Sequence, residues 1–279
     1  MFQPFAYMGG GDTASVTPDA DAWITQVLAD GGSLSATEQN AVKALETDLR
    51  NVNAGADYLY DRLYAIYPLV GGDQASCKYN LKGAETAFTY TINFNGGWTF
   101  NANGVTGNGS NTYGDTQLSP AGIVSTNSAA GKAGISVGIY LTVNNQSPSC
   151  YDLGANEQSV IAGFGNSTLY ANFKSSPGSY VTTTGVVSGV GDLYYATHTV
   201  DGQGTTSGIK NDVEGTVASG KTFTTTETRS FFLGNDNRGS FVEYGNKGYG
   251  FAFLGAYIPG NLRTGLNTAV QTYNASLSR

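Results

Sequence analysis

The sequence is poor in charge, histidine and cysteine. Asp, Glu, Lys and Arg make up 13% of its 279 residues, about half the usual share of roughly 25%. The 14 Lys and Arg form no cluster and are outnumbered by 21 acids, for a net charge of −7. A chain without grouped cations is poorly suited to displacing counterions from phosphates, which disfavours nucleic acid and anionic membrane surfaces as partners. No window approaches the run of about 18 apolar residues needed to span a bilayer. The most apolar stretch, 248–259, is broken by glycine and reads as a buried strand. Residues 1–15 hold no basic side chain and no continuous apolar core, so no secretory signal is expected.

The single histidine, His198, removes H-E-x-x-H and every metal site that needs two imidazoles. There is no G-x-x-x-x-G-K-[ST] loop and no G-x-S-x-G elbow. His198 lies in the alternating run 194–200, where a structural or solvent-facing role is expected. Cys77 and Cys150 are no C-x-x-C pair. They read first as free, partly buried thiols, and the sequence leaves their pairing open. Paired carboxylates for glycoside chemistry are not evident, because most acids of the second part sit in turns. Glu227 and Glu243 are isolated in strand-like stretches.

What the chain does have is glycine, 39 of 279 or 14%, about twice the ordinary share. It also has 18 Tyr and 13 Phe. That composition belongs to a turn-rich β protein. Residues 1–16 form an apolar arm carrying Phe2, Phe5 and Tyr7, which are candidate subunit contacts. Helical spacing then predicts helices over 19–30, 36–53 and 56–67. Thr17-Pro18 reads as an N-cap with proline at N1, Ser35-Ala-Thr-Glu38 is a capping box, and Leu59, Leu63 and Ile66 form the third stripe.

From about Asn80 the period changes to two. Strands are expected at 88–94, 135–143, 158–164, 168–173, 179–187, 192–200, 205–210, 229–234, 240–244 and 249–258. The chain closes on a helix over 261–279, with Asn261 as a possible cap and an apolar face from Leu262 to Leu277. The expected organisation is an arm (1–16), a helical leader (17–72), a sandwich (73–260) and a C-terminal helix packed on it (261–279). No helical pattern separates the strands, so the sheets are expected to be antiparallel.

Two groups of residues suit ligand chemistry. Gly234-Asn-Asp-Asn237 and Asn111-Thr-Tyr-Gly-Asp115 supply loop oxygens, which makes Asp115 and Asp236 weak calcium candidates. Tyr113, Tyr194 and Tyr195 are candidate glycan platforms, with Tyr151 and Trp98 as further aromatics. Trp98 alternates with Phe100 after a Gly-Gly turn and reads chiefly as core. No other cofactor is expected.

The order of segments carries a resemblance. Ala65-Ile-Tyr-Pro-Leu-Val-Gly-Gly72 is followed by Lys78-Tyr-Asn-Leu-Lys82 and Phe94-Asn-Gly-Gly-Trp-Thr99. Gly107-Asn-Gly-Ser-Asn-Thr-Tyr113 and Thr116-Gln-Leu-Ser-Pro120 come next, then the closing run 231–258 and Leu277-Ser-Arg279. Over residues 35–279, with little to match in 144–230, this resembles tailed-bacteriophage and related viral structural proteins with a laminin-G-like, concanavalin-A-like jelly roll. The resemblance implies a mainly β antiparallel sandwich with a short helical N-terminal region. It implies a non-enzymatic virion subunit (appendage, spike, fibre or decoration) assembled in the host cytoplasm as a homo-oligomer with other virion proteins. A host-surface glycan would be a possible ligand. The alternatives are a carbohydrate-binding adhesin or lectin module, and a glycan-cleaving enzyme of the same fold.

Overall fold

The computed structural model describes residues 18–84, 88–126, 133–145, 151–155, 159–164, 168–173, 189–199, 204–215, 227–237 and 244–279. Phe2, Phe5, Tyr7, Cys150, Glu243, the strand candidate 179–187 and all of 240–244 but Tyr244 lie outside these residues.

Helices α1 (Asp19–Ala29) and α2 (Ala36–Asn51) open the described chain. Pro18 occupies the N-cap of α1 and gives it no side-chain cap. Glu46 of α2 takes that role, its carboxylate accepting from Asp19 N at 3.1 Å and Ala20 N at 2.8 Å. A negative charge placed there complements the helix dipole. The capping box of α2 forms as its sequence implies, with Ser35 and Glu38 exchanging hydrogen bonds.

The third expected helix does not form. Residues 53–67 make a small hairpin, β1 (Asn53–Ala54) and β2 (Asp57–Tyr58), a 3-10 turn at 60–62, and strand β3 (Leu63–Tyr67). Leu63, Ala65, Ile66 and Tyr67 are all buried. A strand covered on both faces loses its alternation, and two of its residues then mimic a helical stripe. A short helix α3 (Gln74–Lys78), capped by Asp73, follows. The segment after it seals the free edge of β3. Asn80 Oδ1 accepts from Ile66 N at 2.8 Å, its amide donates to Tyr64 O at 3.0 Å, and Leu81 N donates to Ile66 O at 2.8 Å.

The strand expected at 88–94 shrinks to β4 (Asn93–Asn95), because Tyr90 adopts φ +58 and breaks the extended run. Then come β5 (Thr99–Asn101), β6 (Gly104–Thr106), β7 (Tyr113–Asp115), helix α4 (Pro120–Thr126), β8 (Gly134–Val143), β9 (Leu153–Ala155), β10 (Ser159–Phe164) and β11 (Thr168–Phe173). The chain continues through β12 (Leu193–Thr199), β13 (Thr206–Lys210), β14 (Val213–Glu214), β15 (Phe232–Leu233) and β16 (Gly248–Gly255), and ends in α5 (Gly260–Ser276). The N-cap of α5 is Pro259, not Asn261.

Two antiparallel sheets result. The six-stranded one runs β11-β10-β9-β15-β7-β4, and the larger one runs β14-β13-β12-β8-β16-β6-β5 with β3 added to β16. Between them lies one core, with Ile135, Val137, Ile139 and Leu141 of β8 facing Leu153, Phe231 and Leu233. A second core lies on the other face of the larger sheet. There Tyr140, Tyr195, Phe251 and Phe253 pack against Trp23, Leu45, Leu266 and Tyr273 of the helices. The molecule is a β-sandwich with a helical layer on its larger sheet, as expected for the fold class.

Cys77 sits in the inter-sheet core as a buried free thiol donating to Val70 O at 3.5 Å. Burial pushes its pKa up to about 12. Since the thiolate is the nucleophile, iodoacetamide at pH 8 is expected to leave Cys77 unlabelled in the folded protein and to alkylate it in urea. Peptide mass spectrometry reads the difference.

Gly138 marks how tightly the second core closes. A Cβ there would stand 2.2 Å from Phe253 Cε1 and 2.7 Å from Tyr195 Cβ. Overpacking of this kind costs up to about 3 kcal/mol. Gly138→Val is therefore expected to lower Tm by roughly 6–12 °C, as measured by thermal unfolding.

Candidate functional site

The helical layer packs on the larger sheet, which leaves the outer face of the six-stranded sheet without a helix among the described residues. On β7, Gly114 points inward, where a Cβ would meet Ile92 Cγ2 at 2.9 Å and Leu233 Cβ at 3.4 Å. Alternation then places Tyr113 and Asp115 on the outer face. Their strand neighbours are Asn95 and Asn93 on one side, and Phe232 opposite Asp115 on the other. The Tyr113 ring stacks on Phe232 with centroids 4.7 Å apart and planes 19° apart. Phe232 is buried and Tyr113 half-buried. Asp115 Oδ1 accepts from Gln117 N at 2.8 Å and Ser230 Oγ at 2.5 Å. One aromatic ring thus stands beside two amides, a carboxylate and a hydroxyl.

The adjoining rim is built from turns. Asn111 Oδ1 accepts from Gly97 N at 3.2 Å and from the Asn108 amide at 2.7 Å, holding two exposed loops together. Trp98 roots that rim. Its Nε1 donates to Tyr113 O at 3.3 Å, and its ring packs edge-on to Phe94 at 5.4 Å. Gly234 (φ +73) is required beneath it, since a Cβ would lie 2.8 Å from Trp98 Cη2. Trp98 is therefore a half-buried residue at the border of the core.

The structure separates the three candidate tyrosines. Tyr194 and Tyr195 are buried, so no sugar ring can stack on them. The cause is their position on β12, an interior strand covered on both faces. Tyr194 faces the inter-sheet core and donates to Asp192 Oδ2 at 2.9 Å, while Tyr195 packs on Phe253 at 6.0 Å. Burial pushes both phenol pKa values up. Of the three, Tyr113 is half-buried, as is Tyr151.

The calcium candidates lie apart in role. Asp115 holds Ser230 and the following turn, and Asp236 is buried where its residue bridges Gly154. Among the described residues no group of three or more His, Cys, Asp or Glu gathers to hold a metal. Glu227 Oε1 accepts from Arg229 N at 2.7 Å within a turn. His198 is buried on β12 with Nδ1 2.7 Å from Thr206 Oγ1. Two shallow grooves of about 330 and 450 Å³ follow the seam of α2 and α5, where the one carboxylate, Asp48, has no base beside it.

Sequence reasoning missed a buried polar group at one end of the sandwich. Asp152, just before β9, receives Lys247 Nζ at 2.9 Å on Oδ2 and Tyr249 OH at 2.9 Å on Oδ1. The Lys247 and Asp152 side chains are 1% and 2% exposed. Only Lys247's place next to the apolar run 248–255 hinted at it.

The fold is an antiparallel β-sandwich with a helical layer on its larger sheet. No protein-family model and no curated protein matches the sequence. Among solved structures, the chain is similar to botulinum neurotoxin type C, whose cell entry depends on interaction with two ganglioside molecules. That likeness has TM-score 0.51 and 11% identity, over 76% of this chain and 52% of the toxin chain. It is also similar to the binding domain of botulinum neurotoxin DC in complex with rat synaptotagmin II (TM-score 0.49, 10% identity, 76% and 52% covered). Trypanosoma rangeli sialidase gives TM-score 0.47 and 11% identity over 82% of this chain and 38% of that one. The chain spans about half the length of the toxin chains it matches. No described helix is long and apolar enough to cross a membrane.

Tyr113 and Tyr195 are expected to differ sharply in stability. Tyr195→Ala empties a buried position in the core under the helices and should cost about 3–5 kcal/mol. Tyr113→Ala removes a half-exposed ring and should cost about 1 kcal/mol, both read by urea denaturation.

Proposed function

We propose that the chain is a non-enzymatic recognition subunit of a virion, whose sandwich presents the face around Tyr113 to host-surface glycan. The observation that carries this reading is the Tyr113 ring, stacked on Phe232 of the neighbouring strand and set beside Asn93, Asn95, Asp115 and Ser230. A sugar offers one apolar ring face and several hydroxyls. A braced aromatic with amide and carboxylate neighbours answers both. Likeness in fold to a toxin chain that depends on gangliosides supports the class of ligand.

The buried acids support a non-catalytic role. Asp152 is engaged by Lys247 and Tyr249, Asp19 by Arg50 and Tyr60, and Glu46 by the start of α1. The virion setting rests on the segment order shared with phage structural proteins and on the apolar residues Phe2, Phe5 and Tyr7. Those side chains favour burial between subunits. A free-standing adhesin would use the same face, and its oligomeric state distinguishes it.

A glycan array with wild type and Tyr113→Ala, followed by light scattering, tests both halves. Binding to sialylated or neutral oligosaccharides is expected, weakened about tenfold or more by the substitution, which corresponds to about 1.4 kcal/mol. A stable multimer is also expected. An array with no bound glycan overturns the ligand, and a stable monomer overturns the virion subunit.

A further inference from the structure

The buried end of the sandwich places an amine against a carboxyl group in a way the recognition role does not use. Lys247 precedes β16 of the larger sheet, and Asp152 precedes β9 of the smaller one. They are 95 positions apart in sequence, yet Nζ lies 2.9 Å from Oδ2. Both side chains are at least 98% removed from solvent, at 1% and 2% exposure. The second carboxyl oxygen is held by Tyr249 OH at 2.9 Å. Trp98 and Gly234 close in around Tyr249. The Trp98 ring is 6.3 Å from the Tyr249 ring, and Gly234 N donates to Asp152 O at 2.8 Å.

Burying an ion pair carries a desolvation cost of several kcal/mol per ion, which its mutual attraction offsets only where the geometry is close and further hydrogen bonds are made. A neutral covalent link removes both charges. Holding the two groups in contact also supplies the positioning that bimolecular amide formation lacks in water.

We propose that Lys247 and Asp152 condense to an intramolecular isopeptide bond that staples the two sheets together. The ammonium proton passes to Oδ2, leaving a neutral amine and a carboxylic acid. The Nζ lone pair attacks Cγ, and the Tyr249 hydroxyl donates to Oδ1 as charge develops on it, in the manner of an oxyanion hole. The C–Oδ2 bond then breaks. Oδ2 takes a proton from the nitrogen and leaves as water. One N–C bond forms, one C–O bond breaks, one water is released and no electron changes hands. Tyr249 is the catalytic residue of this step, because its hydroxyl touches the reacting carboxyl group.

The test is the intact mass of the full chain under denaturing conditions, for wild type and Lys247→Arg. Arginine keeps the positive charge but offers no amine of comparable nucleophilicity. Wild type is expected to be lighter than its sequence mass by one water, about 18 Da. Fragmentation should join the Asp152 and Lys247 peptides, and Lys247→Arg should have its full mass. A wild-type mass equal to that of the sequence overturns the proposal, as does a water loss that persists in Lys247→Arg. Tyr249→Phe, which keeps the ring in the core, is expected to slow the loss of water on a time course after refolding. Condensation at an unchanged rate would remove Tyr249 from the step.

Discussion

The central constraint is that the inner strands of the larger sheet, β12, β8 and β16, are buried on both faces. Every residue of β16 and all but the last two of β8 are buried. One face holds the aliphatic ladder of Ile135, Val137, Ile139 and Leu141, and the other receives Phe251, Phe253, Tyr195 and the helices. A sheet in this position must keep its surfaces level. Ser136 and Gly138 on β8 therefore stand where the large rings of neighbouring strands spread across the helical side. The register of β16 shifts between Tyr249 and Phe251, which turns Tyr249 to one core and Phe251 to the other.

Double burial excludes water from polar groups, and many of those inside are matched to protein partners, although Tyr195 OH and Thr142 Oγ1 find no hydrogen bond among the described residues. Ser136 Oγ lies 2.8 Å from Thr197 Oγ1 and accepts from Ile258 N at 3.0 Å. Arg62, itself buried, joins Asp57 and Tyr257 O. Arg279 ties α5 down by donating to Leu69 O, Pro68 O and Gly250 O, with Asn274 orienting its guanidinium. At α1, Tyr60 lies between the Arg50 guanidinium at 4.0 Å and the Lys82 ammonium at 3.8 Å, while its hydroxyl donates to Asp19. These contacts fix the helical layer to the sheet at several separate points.

The same arrangement decides where a ligand can be met. With helices over the larger sheet, the outer face of the smaller sheet and its rim of Asn- and Gly-rich turns form the opposite side of the sandwich. Tyr113 falls there because Gly114 faces the core and its neighbours must point away. Tyr194 and Tyr195, chemically equivalent in the sequence, fall on a strand that has no outer face.

Much was legible in the residues themselves. The α2 capping box, the β8 alternation and the amphipathic C-terminal helix follow from local spacing, which acts within a few residues and needs no partner. So does the change to a two-residue period after the leader. Local spacing could not say which strands would be covered twice. Leu59, Leu63 and Ile66 fit a helix until β3 pairs with β16, and Tyr90 fits a strand until its backbone turns at φ +58. Asp152, Lys247 and Tyr249 meet only when two sheets close, because their separation in sequence carries no local signal. Periodicity and caps are written into neighbouring residues. Burial on a second face, and the pairing of distant charges, exist only once the layers have packed.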